Sequence, residues 1–268
     1  MRKYFMNALM LLTMTASIFS CQKKSETVAD EAVSQDVLNQ IAALGFSQEG
    51  VVATNGGYLV EGDIFLTPEN LKGLPQSHNL IYANEEHYRT TNLVNTSGGT
   101  RTITVSLNTS QANFVSATDE AIRRYNALNL RVRFQRVTGT SANINIVTFY
   151  QVSNTLGSAG FPSGGNPYNQ VRMNTYWYTP SIAVNALATT IAHEMGHCIG
   201  FRHTDYMNRA YSCGTGGNEG ASTVGAVYIP GTPTGPSAGS WMLACGSTSS
   251  SFNRPFTTAD QTALNYVY

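Results

Sequence analysis

The sequence predicts an α+β fold for this chain of 268 residues, on three observations. Apolar and polar residues alternate at Ile103, Val105 and Leu107, at Leu130, Val132 and Phe134, and at Ile144 and Ile146, as in half-buried strands. Residues 114–128 and 183–200 carry apolar side chains at helical spacing instead. In chain order these give strand, helix, strands, helix, loop, helix, an arrangement that segregates helices from a mixed sheet.

The elements follow from the N-terminus. Residues 1–20 open with Arg2 and Lys3 and continue with an apolar run too short to span a membrane, and Cys21 follows at once. This resembles a bacterial lipoprotein leader, in which cleavage before the cysteine leaves it to be lipid-modified. Ser20 fits that pattern and Phe19 departs from it, so plain secretion is the alternative. Both routes export the chain. An outer-membrane or cell-surface lipoprotein is expected, otherwise a secreted protein, with a membrane met only through the anchor at Cys21.

Residues 22–31 read as a tether. Val33, Val37, Leu38, Ile41 and Leu44 are at helical spacing, and Gly45 stops that helix. GYLVEGDIFL (57–66) reads as strand, turn, strand around Gly62-Asp63. The polar, turn-rich residues 76–100 suggest a domain boundary. Beyond the strands and helix already given, a short extended piece lies in 157–165 and another strand at 171–175. A long loop rich in Gly and Pro runs to Gly239, and a last helix starts at Thr257 or Thr258 as cap.

Sixteen basic and sixteen acidic residues cancel, so the chain lacks the basic field that nucleic-acid binding needs. The balance is uneven along the chain. Residues 22–95 hold four basic and ten acidic residues, whereas 96–268 hold ten arginines, no lysine and six acids. Opposite signs favour docking of the two parts, modestly through water and salt. Outside the cytoplasm, Cys198, Cys213 and Cys245 permit one disulfide. Three pairings are open, and the loop-like sequence around Cys213 and Cys245 leans towards those two.

The chemistry lies in TIAHEMGHCIGFRHTD (190–205). His193 and His197, four apart on a helix, stand about 40° apart around its axis and about one turn along it. Two such imidazoles reach one zinc ion. Glu194 sits between them, placed for the metal's water rather than the metal. On a continuous helix His203 would point about 240° round, away from the ion. The helix therefore has to break at Gly200, where glycine tolerates positive φ, so that the chain turns back and offers His203 as third ligand. Three protein ligands leave a fourth position open, the mark of catalytic zinc. His78 and His87 lack partner spacing and read as surface residues.

HEMGHCIGFRH resembles the extended zinc motif of the metzincin metallopeptidases, and the surrounding sequence is most similar to the bacterial dual-action HEIGH metallopeptidases. The resemblance implies a zincin fold: a small mixed twisted sheet with an active-site helix and a C-terminal helix, preceded by a pro-segment. It covers about 96–268 and, more weakly, the part before. It implies that Met242, in Ser240-Trp241-Met242, forms the methionine turn beneath the zinc; Met195 and Met207 sit too near the motif. It implies that TLGSAGFPS (155–163) is the edge strand of the cleft, with an extended peptide lying along 158–161. Where some metzincins have a transition-state tyrosine two residues past the methionine, this chain has Ala244. Asp205 is expected to orient a ligand or brace its loop, or only to cap a turn.

Glu61-Gly62-Asp63-Ile64 resembles the pro-segment motif of astacin-type metzincins, in which an aspartate ligates the zinc and displaces the water. An ordinary Gly-Asp hairpin turn is the alternative. The expected organisation is a leader (1–20), a tether and pro-segment (21–95) cut within 80–100, near Arg89, and a catalytic domain (96–268). The expected activity is that of a monomeric zinc endopeptidase with one Zn2+ ion and Glu194 as general base, acting on extended peptides or proteins. The rivals are a non-catalytic surface lipoprotein that binds a ligand on the same scaffold, and a structural zinc domain. The second of these lacks a Cys pair at finger spacing.

Overall fold

The computed structural model describes residues 32–44, 46–72, 87–139, 141–221, 224–233 and 235–268. The leader, Cys21, the tether, Gly45 and His78 lie outside them. The N-terminal part holds α1 (Gln35–Ala43), β1 (Val52–Thr54), β2 (Gly57–Val60), β3 (Ile64–Leu66) and α2 (Pro68–Leu71). The main body follows with β4 (Tyr88–Arg89), β5 (Arg101–Leu107), α3 (Ala112–Asn126), β6 (Val132–Arg136), β7 (Ile144–Phe149), β8 (Gly157–Ala159) and β9 (Gln170–Asn174). It closes with α4 (Val184–Ile199), α5 (Ala210–Cys213), β10 (Val227–Tyr228) and α6 (Thr258–Val267). Among the described residues no helix is long and apolar enough to cross a membrane.

The fold is a mixed α+β one. Strands β9, β7, β5 and β6 run parallel, and β8 closes their edge antiparallel to β9. The sheet is larger than the small one expected, because β1, β2 and β3 form an antiparallel meander that extends it to eight strands. The join is parallel and short. Ile64 stands opposite Ala159, and the Ala159 N–H donates to the Asp63 carbonyl at 3.0 Å. Alternation could not reveal β1, whose three residues are all half-buried.

Helix α3 turns Phe114, Ala117, Ala121 and Tyr125 inward and leaves Glu120 to pair with Arg123 outside. Helix α4 is different. From Ala186 to Ile199 every residue is buried, against α3 on one side and β8 and β9 on another. A helix apolar nearly all round belongs at the centre of a body. Leu187, Ile191 and Met195 join the main core there, and truncating a buried Leu, Ile or Met to Ala costs roughly 2–5 kcal/mol. The N-terminal part has its own small core of Ile41, Leu44, Phe46, Val60, Ile64, Leu66 and Leu71, packed against Phe161.

Two expectations change. His87 is not a surface residue: it is 1% exposed, and its Nε2 lies 2.7 Å from Asp260 Oδ1 at the start of α6. Nor is the whole stretch 76–100 a boundary. Strand β4 pairs with β10, Tyr88 and Thr90 are buried, and Val94 belongs to the main core. Arg89 therefore lies in a strand inside the body, a poor place for a cut. The Cys213–Cys245 disulfide is present, and Cys198 is a buried free thiol.

Candidate metal centre

Helix α4 carries His193, Glu194 and His197 and stops where the sequence requires. Gly200 is its C-cap, at φ 108°. A Cβ there would lie 2.8 Å from Leu93 Cδ2 and 2.9 Å from Thr90 Oγ1, so glycine is demanded both by its backbone and by its neighbours. The chain then doubles back along β4. The Thr90 N–H donates to the Gly200 carbonyl at 2.8 Å and the Arg202 N–H to the Tyr88 carbonyl at 2.9 Å. This pairing aims His203 at the other two imidazoles. Ring centroids are 4.7 Å apart for His193 and His197, 5.2 Å for His193 and His203, and 4.9 Å for His197 and His203.

Each imidazole uses Nδ1 for an outward hydrogen bond, to the Trp241 carbonyl for His193, the Phe201 carbonyl for His197 and Glu219 Oε1 for His203. All three Nε2 atoms are thereby left for the centre. Asp63 meets them there, with Oδ2 at 2.8 Å from His203 Nε2, 3.4 Å from His193 Nε2 and 3.9 Å from His197 Nε2. The four candidate donor atoms lie within 4.8 Å of one another.

The donor set fits zinc, which takes imidazole nitrogen and carboxylate oxygen in fourfold coordination. Buried His197 Nε2 and Asp63 Oδ1 have no hydrogen-bond partner, a cost of about 1–3 kcal/mol each that a cation would remove. Burial lowers His197 to about 4. For His203 burial is outweighed by Asp63 and Glu219, which hold it well above the usual imidazole range. Asp63, against its own burial, is held well below the usual carboxylate range by His203 and the other imidazoles.

Glu194 lies beside this group, not in it. It is buried and its Oε2 has no partner. Burial first, and then the Asp63 charge, push its carboxyl well above the ordinary range. With His193 it faces a cavity of about 400 Å³ walled by Leu156, Trp177, Leu243 and Phe252. Gly157, the first residue of β8, lets the carboxylate sit there, since a Cβ on it would come 2.8 Å from Glu194 Oε1 and 3.1 Å from the Arg172 carbonyl. Gly157→Ala is expected to displace this carboxylate and lower the melting temperature, since overpacking a buried site costs about 1–3 kcal/mol. Zinc content measured by atomic absorption should stay at the parent value.

Met242 is buried in the turn under α4, and its Sδ would lie 2.6 Å from a Cβ at Gly196. The same turn supplies the Trp241 carbonyl to His193, and the Met242 carbonyl accepts from the Thr204 N–H at 2.9 Å. Asp205 braces loops and touches no imidazole. It accepts from the Ala244 N–H at 2.9 Å and from Ser212 Oγ at 2.5 Å. Three contributors escaped the sequence reading. Glu219 sits in a glycine-rich loop with no motif. His87 and Asp260 act through the turn: Asp260 accepts from His87, Ser240 Oγ and the Trp241 N–H.

The profile of the dual-action HEIGH metallo-peptidases matches residues 58–268. No curated protein matches the chain's sequence. Among solved structures, one of myroilysin is similar at 16% identity and TM-score 0.42 over 63% of this chain and 93% of that one. A second of myroilysin is similar at 14% identity and TM-score 0.39 over 66% and 93%. High choriolytic enzyme 1, a hatching enzyme zinc-protease from the medaka fish Oryzias latipes, is similar at 20% identity and TM-score 0.28 over 43% and 52%.

Proposed function

Since the chain belongs to the dual-action HEIGH metallo-peptidases, and is therefore a metallopeptidase with zinc as its cofactor, we propose that it is a metzincin-type endopeptidase built on His193, His197, His203 and Glu194. The observation that carries this reading is the convergence of the three Nε2 atoms with Glu194 beside them. When bound, zinc lowers the pKa of a coordinated water and polarises the scissile carbonyl. The three imidazoles would hold the ion through Nε2, each kept in the right tautomer by its Nδ1 bond. Glu194 takes the proton of the attacking water as general base and passes it to the leaving amine nitrogen. The cavity beside it receives a substrate side chain, and its apolar walls exclude water from the carboxylate.

The substrate is an extended peptide or protein segment that adds through main-chain hydrogen bonds to the edge of β8 that β3 covers in the full chain. The N-terminal hairpin competes for that edge, since β3 pairs with β8 at Ile64 and Ala159. Its Asp63 carboxylate also reaches all three imidazoles. We read the part before His87 as a pro-segment that keeps the enzyme latent by covering both the strand and the metal. Removal requires a cut after Leu71 and before the buried Tyr88. Export, with or without the lipid at Cys21, rests on the leader sequence. A non-catalytic binding role would give Glu194 no reason to lie buried at the cavity.

Chelation tests this function. Dialysis of the processed chain against a strong chelator is expected to remove nearly all cleavage of a peptide library, and one equivalent of zinc to restore it. Undiminished cleavage by the metal-free protein would end the reading.

A further inference from the structure

We propose that Glu219 is a positioning residue that orients His203 and strengthens its hold on zinc. The inference rests on His203 being a zinc ligand. His193 and His197 are fixed by a rigid helix, and their Nδ1 atoms need only the carbonyls of Trp241 and Phe201, both at 2.8 Å. His203 lies beyond the helix, on the return loop. Its Nδ1 is 2.7 Å from Glu219 Oε1, a residue 16 positions further along the chain. Among the three imidazoles it alone has a charged partner at Nδ1. Such a pairing fixes the tautomer with the lone pair on Nε2 and makes that nitrogen a stronger donor to a metal.

The carboxylate is built in rather than incidental. Glu219 is 2% exposed, and its backbone N–H donates to the Tyr206 carbonyl at 2.7 Å. Arg209 Nε lies 3.1 Å from Oε1, and Arg202 Nη2 lies 3.7 Å from Oε2. Arg202, itself buried, pins the same loop by donating from Nη1 to the carbonyls of Gly220 and Ala221 at 2.9 and 2.8 Å. Arg202 also faces Glu61 at 3.8 Å. Glu61 departs with the hairpin, whereas Glu219 stays with the body, so the orienting contact persists in the processed enzyme.

The experiment measures zinc affinity of the full chain by competition with a chromophoric chelator, and the visible spectrum of its cobalt(II) form. Glu219→Gln keeps the size and an acceptor but removes the charge, and it should weaken zinc about 10-fold. Its cobalt spectrum should shift, and its near-ultraviolet circular dichroism should match the parent. Asp205→Asn, which alters an equally buried carboxylate that touches no imidazole, should change the melting temperature and leave zinc affinity within twofold. Parental affinity in Glu219→Gln, or an equal loss in both variants, would overturn the inference. His203→Ala separates the two claims. If it binds zinc as tightly as the parent, the ligand assignment itself is wrong.

Discussion

Replacing Glu194 with glutamine is expected to lower kcat by about 10²- to 10⁴-fold while leaving zinc content and melting temperature near the parent values, since general acid–base groups contribute factors of this order. The two side chains have the same shape, so the cavity, the contact with Gly157 and the packing of α4 are undisturbed. The amide cannot take up the water's proton. Glu194 is also outside the donor group of Asp63, His193, His197 and His203, so the metal should stay. The measurement is kcat on a reporter peptide with metal content alongside. A variant keeping more than a tenth of parental kcat would remove Glu194 from the mechanism.

The full chain carrying Asp63→Ala is expected to cleave peptide about 10- to 100-fold faster than the unaltered full chain, the factor that a lost charged interaction of about 1.5–3 kcal/mol represents. The alanine removes the carboxylate that lies 2.8 Å from His203 Nε2 and so opens the fourth position. It leaves the backbone bond from Ala159 to residue 63, and the small core behind the hairpin, in place. Activity should therefore rise without reaching that of a chain cut between Leu71 and His87. A full chain as inactive with alanine as with aspartate would reduce Gly62-Asp63 to a hairpin turn.

The local parts of this architecture were legible because each is encoded within a few residues. The spacing of His193, Glu194 and His197 sets one helix face, and Gly200 announces the break that frees His203. Thr257 and Asp260 form the capping box that starts α6. The alternation at Ile103, Val105 and Leu107 marks β5 as a half-buried strand. Strand β1 and the two-residue strands β4 and β10 are too short to carry a period.

What the sequence determined by itself is three imidazoles at metal-ligand spacing, two a turn apart on one helix and a third after a glycine, with a carboxylate beside them. What only the tertiary structure decided is what surrounds that set. Asp63 meets His203 across 140 residues, His87 meets Asp260 across 173, and Glu219 backs His203 from a loop with no periodic pattern. The reason is physical. Helix geometry converts sequence spacing directly into spatial spacing over one or two turns. Contacts between distant segments depend on how strands pair and loops close, and single residues there leave no recurring trace.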